Sequence, residues 1–264
     1  MAQTAPMTRL DQDAALGREL AVICEEAAKL ILPLWRSGVT VHSKADDSPV
    51  TEADRRGEAL ILERLAQRFP DIPIISEEDA AEFGTPEKIG DRFFLVDPLD
   101  GTKAFIRGDA NFTVNIGLIE GGQPVAGAVT APASGQSWFT TLHGAVRREI
   151  GGAEQDVRAR PWPEGEAIAL VSHTLKPEYA EKLMETYGFT HKQPMDSSIK
   201  LCMIAQGTAD IYPRHGATME WDIAAGHAVL LAAGGRLTTL EGEPFRYGKA
   251  DEGFKNGWFV ARGA

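Results

Sequence analysis

The chain has 264 residues, 43% apolar and 25% charged, with a net charge of −11 at pH 7 and a pI near 5.1. That composition supplies a sizeable core and excludes a largely disordered chain. The acidic balance disfavours nucleic acid polymers as partners, since like charge repels a polyphosphate backbone, but it permits a small phosphorylated metabolite held through divalent cations.

Residues 1–13 are polar and are expected to be a flexible N-terminus. From 14 to 35 apolar residues recur at three- and four-residue steps (Leu16, Leu20, Ile23, Ala27, Leu30, Ile31, Leu34), the period of an amphipathic helix. Val39 and Val41 predict a short strand before the loop Lys-Ala-Asp-Asp-Ser-Pro, and Thr51 caps a second helix starting near Glu52. From Ile72 onward, short apolar runs end in acidic residues: Pro-Ile-Ile-Ser before Glu77 and Phe-Phe-Leu-Val before Asp97. These read as buried strands that deliver side chains at their C-terminal ends. Gly121-Gly122 and His143-Gly144 each separate strand-like runs, two hairpin signals. Residues 151–165 are rich in Gly, Pro and charge and read as a connector. The expected organisation is therefore an N-terminal α+β half over 14–150 and a C-terminal α/β half over 151–264 that closes the site. In the second half the pattern predicts strands at Ile-Ala-Leu-Val-Ser-His and Ala-Asp-Ile-Tyr-Pro, helices over 177–187, 198–206 and 222–233, and two closing strands. Strict β-α-β alternation is missing, so the fold class is mixed α/β or layered α+β.

Cys24 and Cys202, the two cysteines, lie in apolar stretches and read as reduced core thiols rather than a disulfide framework. No signal-peptide pattern is visible and no run approaches the ~18 apolar residues of a membrane span, so a cytoplasmic location is the default expectation.

The chemistry centres on Asp97-Pro98-Leu99-Asp100-Gly101-Thr102. Pro98 stops the strand and Gly101 permits a tight turn, so both carboxylates and the Leu99 carbonyl can aim at one point. That donor set suits a hard cation such as Mg²⁺, and Thr102 can position a water beside it. Glu77-Glu78-Asp79 reads either as a solvated acidic turn or as a further ligand source. Asp222 and Asp54 each read either as first-turn helix carboxylates or as members of the site. His42, His143, His191, His215 and His227 show no ligand spacing. Phosphate-loop, dinucleotide, zinc-hydrolase and serine-nucleophile motifs are missing. Several carboxylates gathered together repel one another unless cations sit among them, which argues for a functional cluster.

Ser76-Glu77-Glu78, Asp97 to Thr102 and Trp221-Asp222-Ile223-Ala224-Ala225-Gly226 together resemble the inositol monophosphatase superfamily of Mg²⁺-dependent, lithium-sensitive phosphatases, over nearly the whole chain. Within it the chain is most similar to the CysQ-type 3′(2′),5′-bisphosphate nucleotidases. The supporting residues are Gly101-Thr102-Lys103, Phe112 to Ile116, Ser197-Ser198-Ile199-Lys200 and Tyr212-Pro213-Arg214, with one departure at Ala104. The resemblance implies an α-β-α-β-α sandwich. It implies Glu77, Asp97 and the Leu99 carbonyl on a first metal, and Asp97, Asp100 and Asp222 on a second, with Asp222 also against the substrate. Thr102 and Asp54 would orient and deprotonate the attacking water, while Gly101 and Thr102 donate to the scissile phosphate. A second phosphate needs local positive charge, for which Lys200 and Arg214 are the candidates with Ser197 as donor. The resemblance adds His173. Lys200 also reads as a solvated helix residue and His173 as a surface loop. The implied reaction is hydrolysis of adenosine 3′,5′-bisphosphate to AMP and phosphate, clearing a by-product of sulfate assimilation. Inositol monophosphate, fructose 1,6-bisphosphate and histidinol phosphate are the alternative substrates, and a non-catalytic cation- or phosphometabolite-binding protein is the reading from another class.

Overall fold

The computed structural model describes residues 9–38, 41–43, 49–173 and 175–264. The first half runs α1 (Arg9–Ser37), β1 (Val41–Ser43), β2 (Pro49–Thr51), α2 (Glu52–Arg68), β3 (Ile74–Ser76), α3 (Glu77–Phe83), β4 (Arg92–Asp100) and α4 (Thr102–Arg107). A meander follows: β5 (Thr113–Glu120), β6 (Gln123–Ala131), β7 (Gln136–Thr141), β8 (Gly144–Glu149) and β9 (Gln155–Val157). The second half is β10 (Ile168–Val171), α5 (Pro177–Tyr187), β11 (His191–Pro194), α6 (Ile199–Ala205), β12 (Ile211–Arg214), α7 (Glu220–Ala232), β13 (Arg236–Thr239) and β14 (Phe259–Arg262). Val39 and residues 44–48 of the expected loop over 44–49 lie outside the described residues, as do residues 1–8 of the expected flexible terminus, while Pro49 already belongs to β2.

Strands β3 to β9 form a seven-stranded sheet in chain order, and a five-stranded sheet has the order β11-β10-β12-β14-β13. Side chains alternate across β4. Phe94 and Val96 face a core shared with Leu20, Ile23 and Ile31 of α1 and Ile61 and Leu65 of α2. Phe93 and Leu95 face the opposite core, built with Leu201 and Ile204 of α6, Val229 and Leu230 of α7 and Phe259 of β14. A third core joins Val171, Ile211 and Val260 of the smaller sheet to Leu183 of α5. The result is five layers, α-β-α-β-α, as the sequence resemblance implied.

Two helices of the sequence reading start earlier than expected, α1 by Arg9 and α7 at Glu220, α5 keeps the expected 177–187, and α6 is a residue shorter at each end than the expected 198–206. Two short α-helices, α3 and α4, escaped that reading. α3 forms where an acidic turn was one option, because acidic residues at a helix start favour the macrodipole and Ala80 and Ala81 propagate well. β9 lies inside the stretch expected to be a connector and extends the larger sheet to Val157.

Candidate active site

Parallel pairing of β3 with β4 sets Ser76 beside Val96, so the residues that follow, Glu77 and Asp97, arrive together. Pro98 cannot donate to the ladder, and the β4–β5 register shifts between Asp97 and Asp100. That extra residue is a bulge that re-aims the strand end. The Leu99 amide donates to Asp97 Oδ1 at 3.0 Å and tightens the turn. Gly101 follows with φ +93°, and a Cβ there would stand 2.8 Å from the Asn111 carbonyl, so glycine is required by conformation and by space. The Thr102 hydroxyl lies 3.1 Å from the Leu99 carbonyl and 3.2 Å from Asp54 Oδ1. It holds one proton, and can donate to one of them at a time.

Asp54 serves two purposes. Its Oδ2 accepts from the Thr51 amide at 2.7 Å and the Thr51 hydroxyl at 2.6 Å, closing the capping box of α2. Its Oδ1 faces the Thr102 hydroxyl. The carboxyl is buried, and Thr102 lines the cavity beside it.

Asp222 arrives on α7, whose first turn it caps by accepting from the Met219 amide at 2.8 Å. The small residues after it let α7 sit directly on the larger sheet. Gly117 and Gly127 are cross-strand partners in β5 and β6. A Cβ on Gly117 would lie 2.9 Å from Ala224 Cβ, and one on Gly127 2.6 Å from the Ala225 carbonyl. The spacing of Trp-Asp-x-Ala-Ala-Gly is thus a helix–sheet contact that delivers a carboxylate.

Glu77, Asp97, Leu99, Asp100, Gly101, Thr102, His173, Ser197, Lys200, Arg214 and Asp222 all line one cavity of about 870 Å³ between the halves, a volume suited to a small-molecule ligand. Its floor is acidic. Burial foremost, then the charges of Glu77, Asp100 and Asp222, hold the Asp97 carboxyl well above the usual carboxylate range. Asp222 is raised by burial and then by Asp100 and Glu77. Burial lifts Asp100 to about 6, against the pull of Lys200. Positive charge entering the cavity would ease the ionisation of these buried carboxyls. Among the described residues no three His, Cys, Asp or Glu side chains stand at ready-made ligand spacing. The carboxylates converge on the cavity without closing on a point. An oxygen-only donor set of carboxylates and one backbone carbonyl fits a hard divalent cation.

The wall from the second half is basic and hydrogen-bonded. Ser197 takes a left-handed φ of 59°, which turns the Ser198 amide onto Asp100 Oδ2. The Ser198 hydroxyl donates to Asn115 Oδ1 at 2.6 Å and meets Thr113 Oγ1 at 2.9 Å, tying this turn to β5. Lys200 is 4% exposed, which excludes the solvated-residue reading. Its ammonium donates to the Met195 carbonyl at 3.2 Å and to the Ser197 carbonyl, and stands 4.9 Å from the centre of the Tyr212 ring. Burial lowers its pKa to about 8, with Asp100 opposing. Arg214 Nη2 donates to the Ala217 carbonyl at 2.8 Å. His173 sits at the rim with Nδ1 3.2 Å from Asp196 Oδ2, and the same oxygen takes Arg107 Nη2 at 2.7 Å. Arg107 and Asp196, like Glu58 behind α3, were not singled out from the sequence. The contacts that matter here, Arg107 with Asp196 and Glu58 with the start of α3, join separate elements, and no local pattern marks them.

Fold and site define a layered α/β protein with an acidic, cation-accepting cleft walled by basic side chains. The sequence model of the inositol monophosphatase family matches residues 11–261. The chain is 40% identical over 206 residues to the 3′(2′),5′-bisphosphate nucleotidase CysQ of Salmonella typhimurium, covering 77% of this chain and 81% of the relative. It is 36% identical to the CysQ of Buchnera aphidicola, covering 92% of each. Among solved structures, CysQ from Bacteroides thetaiotaomicron superposes with a TM-score of 0.75 at 33% identity, over 97% of this chain and 98% of that one. An inositol monophosphatase from Zymomonas mobilis superposes with a TM-score of 0.74 at 25% identity, over 97% and 94%. The chain belongs to the inositol monophosphatase family. Among the described residues no helix is long and apolar enough to cross a membrane.

Proposed function

We propose that this protein hydrolyses the 3′-phosphomonoester of adenosine 3′,5′-bisphosphate, giving AMP and phosphate with water as the nucleophile. The observation that carries this reading is the division of charge in one cavity: carboxylates on the floor, Lys200 and Arg214 on the wall and His173 at the rim. The floor suits the metal-bearing end of the reaction. The wall suits a second phosphate that the metal does not hold. The name borne by the CysQ relatives supports the same substrate.

Glu77, Asp97, Asp100, Asp222 and the Leu99 carbonyl would hold Mg²⁺, with Asp97 shared if two ions bind. Bound there, the metal supplies charge neutralisation and Lewis acidity to phosphoryl transfer. The chain's own groups do the rest. Thr102 Oγ accepts a hydrogen bond from the attacking water while donating its proton to Asp54 Oδ1. As the water oxygen bonds to phosphorus, its proton passes to Thr102 Oγ and the threonine proton to Asp54. The bond from phosphorus to the 3′-oxygen breaks, that oxygen takes a proton from solvent water, and Asp54 returns the proton it gained to solvent. The Gly101 and Thr102 amides stand at the start of α4, where backbone N–H groups favour an anion. Lys200 spends two of its three N–H bonds on the Met195 and Ser197 carbonyls, leaving one for the substrate. Ser197, Arg214 and His173 complete the nucleotide contacts.

The test is phosphate release from adenosine 3′,5′-bisphosphate with Mg²⁺, comparing wild type with Asp97→Asn. Loss of turnover in the variant is expected, because Asp97 alone is shared by both proposed metal positions. Turnover like that of wild type would remove the site assignment.

A further inference from the structure

Ser76, the residue before α3, makes no side-chain capping bond to that helix. The cap comes instead from α2. Glu58 Oε1 accepts from the Glu78 amide at 3.0 Å and from the Asp79 amide at 3.3 Å. Those are the second and third residues of α3, where free N–H groups need partners. Glu58 is itself 7% exposed, and it lies one turn beyond Asp54 on the same face of α2. One helix face therefore anchors both sides of the cleft, Thr102 through Asp54 and the start of α3 through Glu58.

We propose that Glu58 is a positioning residue for Glu77: by gripping the two amides that follow, it fixes the backbone from which the Glu77 carboxylate enters the cavity. A carboxylate is an unexpected choice for plain structural duty here. Burial, with a smaller push from the Asp79 charge, disfavours its ionised form against the hydrogen bonds it accepts. A neutral acceptor avoids that repulsion, but an ionised one grips backbone N–H groups more strongly. Glu77 sits at the very first position of a seven-residue helix, where fraying would swing its side chain away from Asp97.

The inference rests on the reading of Glu77 as a metal ligand. It is tested on Glu58→Ala and Glu58→Gln by measuring Mn²⁺ affinity of the metal-free protein calorimetrically, alongside the unfolding temperature without metal. Groups that hold a metal ligand in place are worth about 10–100-fold in affinity, so Glu58→Ala should weaken Mn²⁺ binding by about that factor. Glu58→Gln retains an acceptor at the same place and should stay within about threefold of wild type. Activity at saturating Mg²⁺ should then recover largely in both variants, with the loss appearing in the Mg²⁺ concentration required. Unchanged Mn²⁺ affinity in Glu58→Ala with a lowered unfolding temperature would overturn the proposal and leave Glu58 a structural cap. A glutamine variant as weak as alanine would also overturn it, since the retained acceptor would then count for nothing. If wild type binds no Mn²⁺ saturably, the metal-site reading fails first and takes this inference with it.

Discussion

Substituting Gly127 by alanine tests how the fold aims Asp222. The added Cβ would lie 2.6 Å from the Ala225 carbonyl oxygen, 2.9 Å from Ala228 Cβ and 3.0 Å from Ala225 Cα. Two of the three atoms are backbone, so no side-chain rotation relieves the contact. Restoring ordinary contact distances of about 3.5 Å requires α7 to lift by several tenths of an ångström to about 1 Å. Overpacking of that kind costs about 1–3 kcal/mol, a fall in Tm of several degrees for a chain of this size. The lift also moves Asp222, which stands in the first turn of the same helix. A misplacement of about 1 Å at a reacting centre lowers turnover by as much as about 10²-fold. The double variant Gly117→Ala/Gly127→Ala should cost less than the sum of its parts, because both substitutions lift one helix off one glycine pair. The assay is thermal unfolding together with kcat for phosphate release. A Gly127→Ala protein with wild-type Tm and kcat would refute the claim that close helix–sheet contact places the carboxylate.

Asp54→Asn keeps an oxygen to cap α2 but loses the proton acceptor, so kcat should fall about 10²–10⁴-fold while Tm moves little. A large Tm loss with kcat retained would assign Asp54 to capping alone. His227 is buried with Nδ1 2.9 Å from the Tyr247 hydroxyl, and burial lowers its pKa from 6.5 to about 3. Below pH 6.5 the unfolded chain binds a proton at this site that the folded one refuses. Its contribution to stability is therefore present above pH 6.5 and is lost as pH falls toward 3, by about 1.4 kcal/mol per pH unit. Urea unfolding at pH 7 and pH 5, with His227→Phe for comparison, should show a shallower pH slope in the variant. Identical slopes would contradict the buried neutral ring.

The sequence displayed those parts of the site that local chemistry specifies. An apolar run stopped by Pro98 and released by Gly101 announces a strand end that turns, and Thr51 announces a helix start. Both are encoded within a few residues. The dual use of Asp54 could be left only as two options, because Thr102 stands 48 positions away. Lys200 looked equally plausible in solvent or in the site. Its burial depends on Tyr212 and on the carbonyls of a turn that Ser197 bends by adopting a left-handed conformation, which is rare outside glycine. Gly117 and Gly127 passed as ordinary strand residues, since the helix that demands their bareness lies about a hundred residues further on. Glu58 was silent because its partners come from a separate strand–helix turn. Hydrophobic period and turn residues reveal elements, whereas contacts between distant elements leave no local trace.

The most direct test of the account is kcat/KM with Mg²⁺ for adenosine 3′,5′-bisphosphate, inositol 1-phosphate and fructose 1,6-bisphosphate, measured side by side with and without lithium. The account predicts Mg²⁺-dependent, lithium-inhibited turnover that favours the nucleotide, over inositol 1-phosphate by about 10²-fold or more, since a monophosphate leaves the buried basic wall unpaired. Preference for inositol 1-phosphate or fructose 1,6-bisphosphate would contradict the nucleotide pocket, and the lack of any Mg²⁺-dependent turnover would contradict the phosphatase itself.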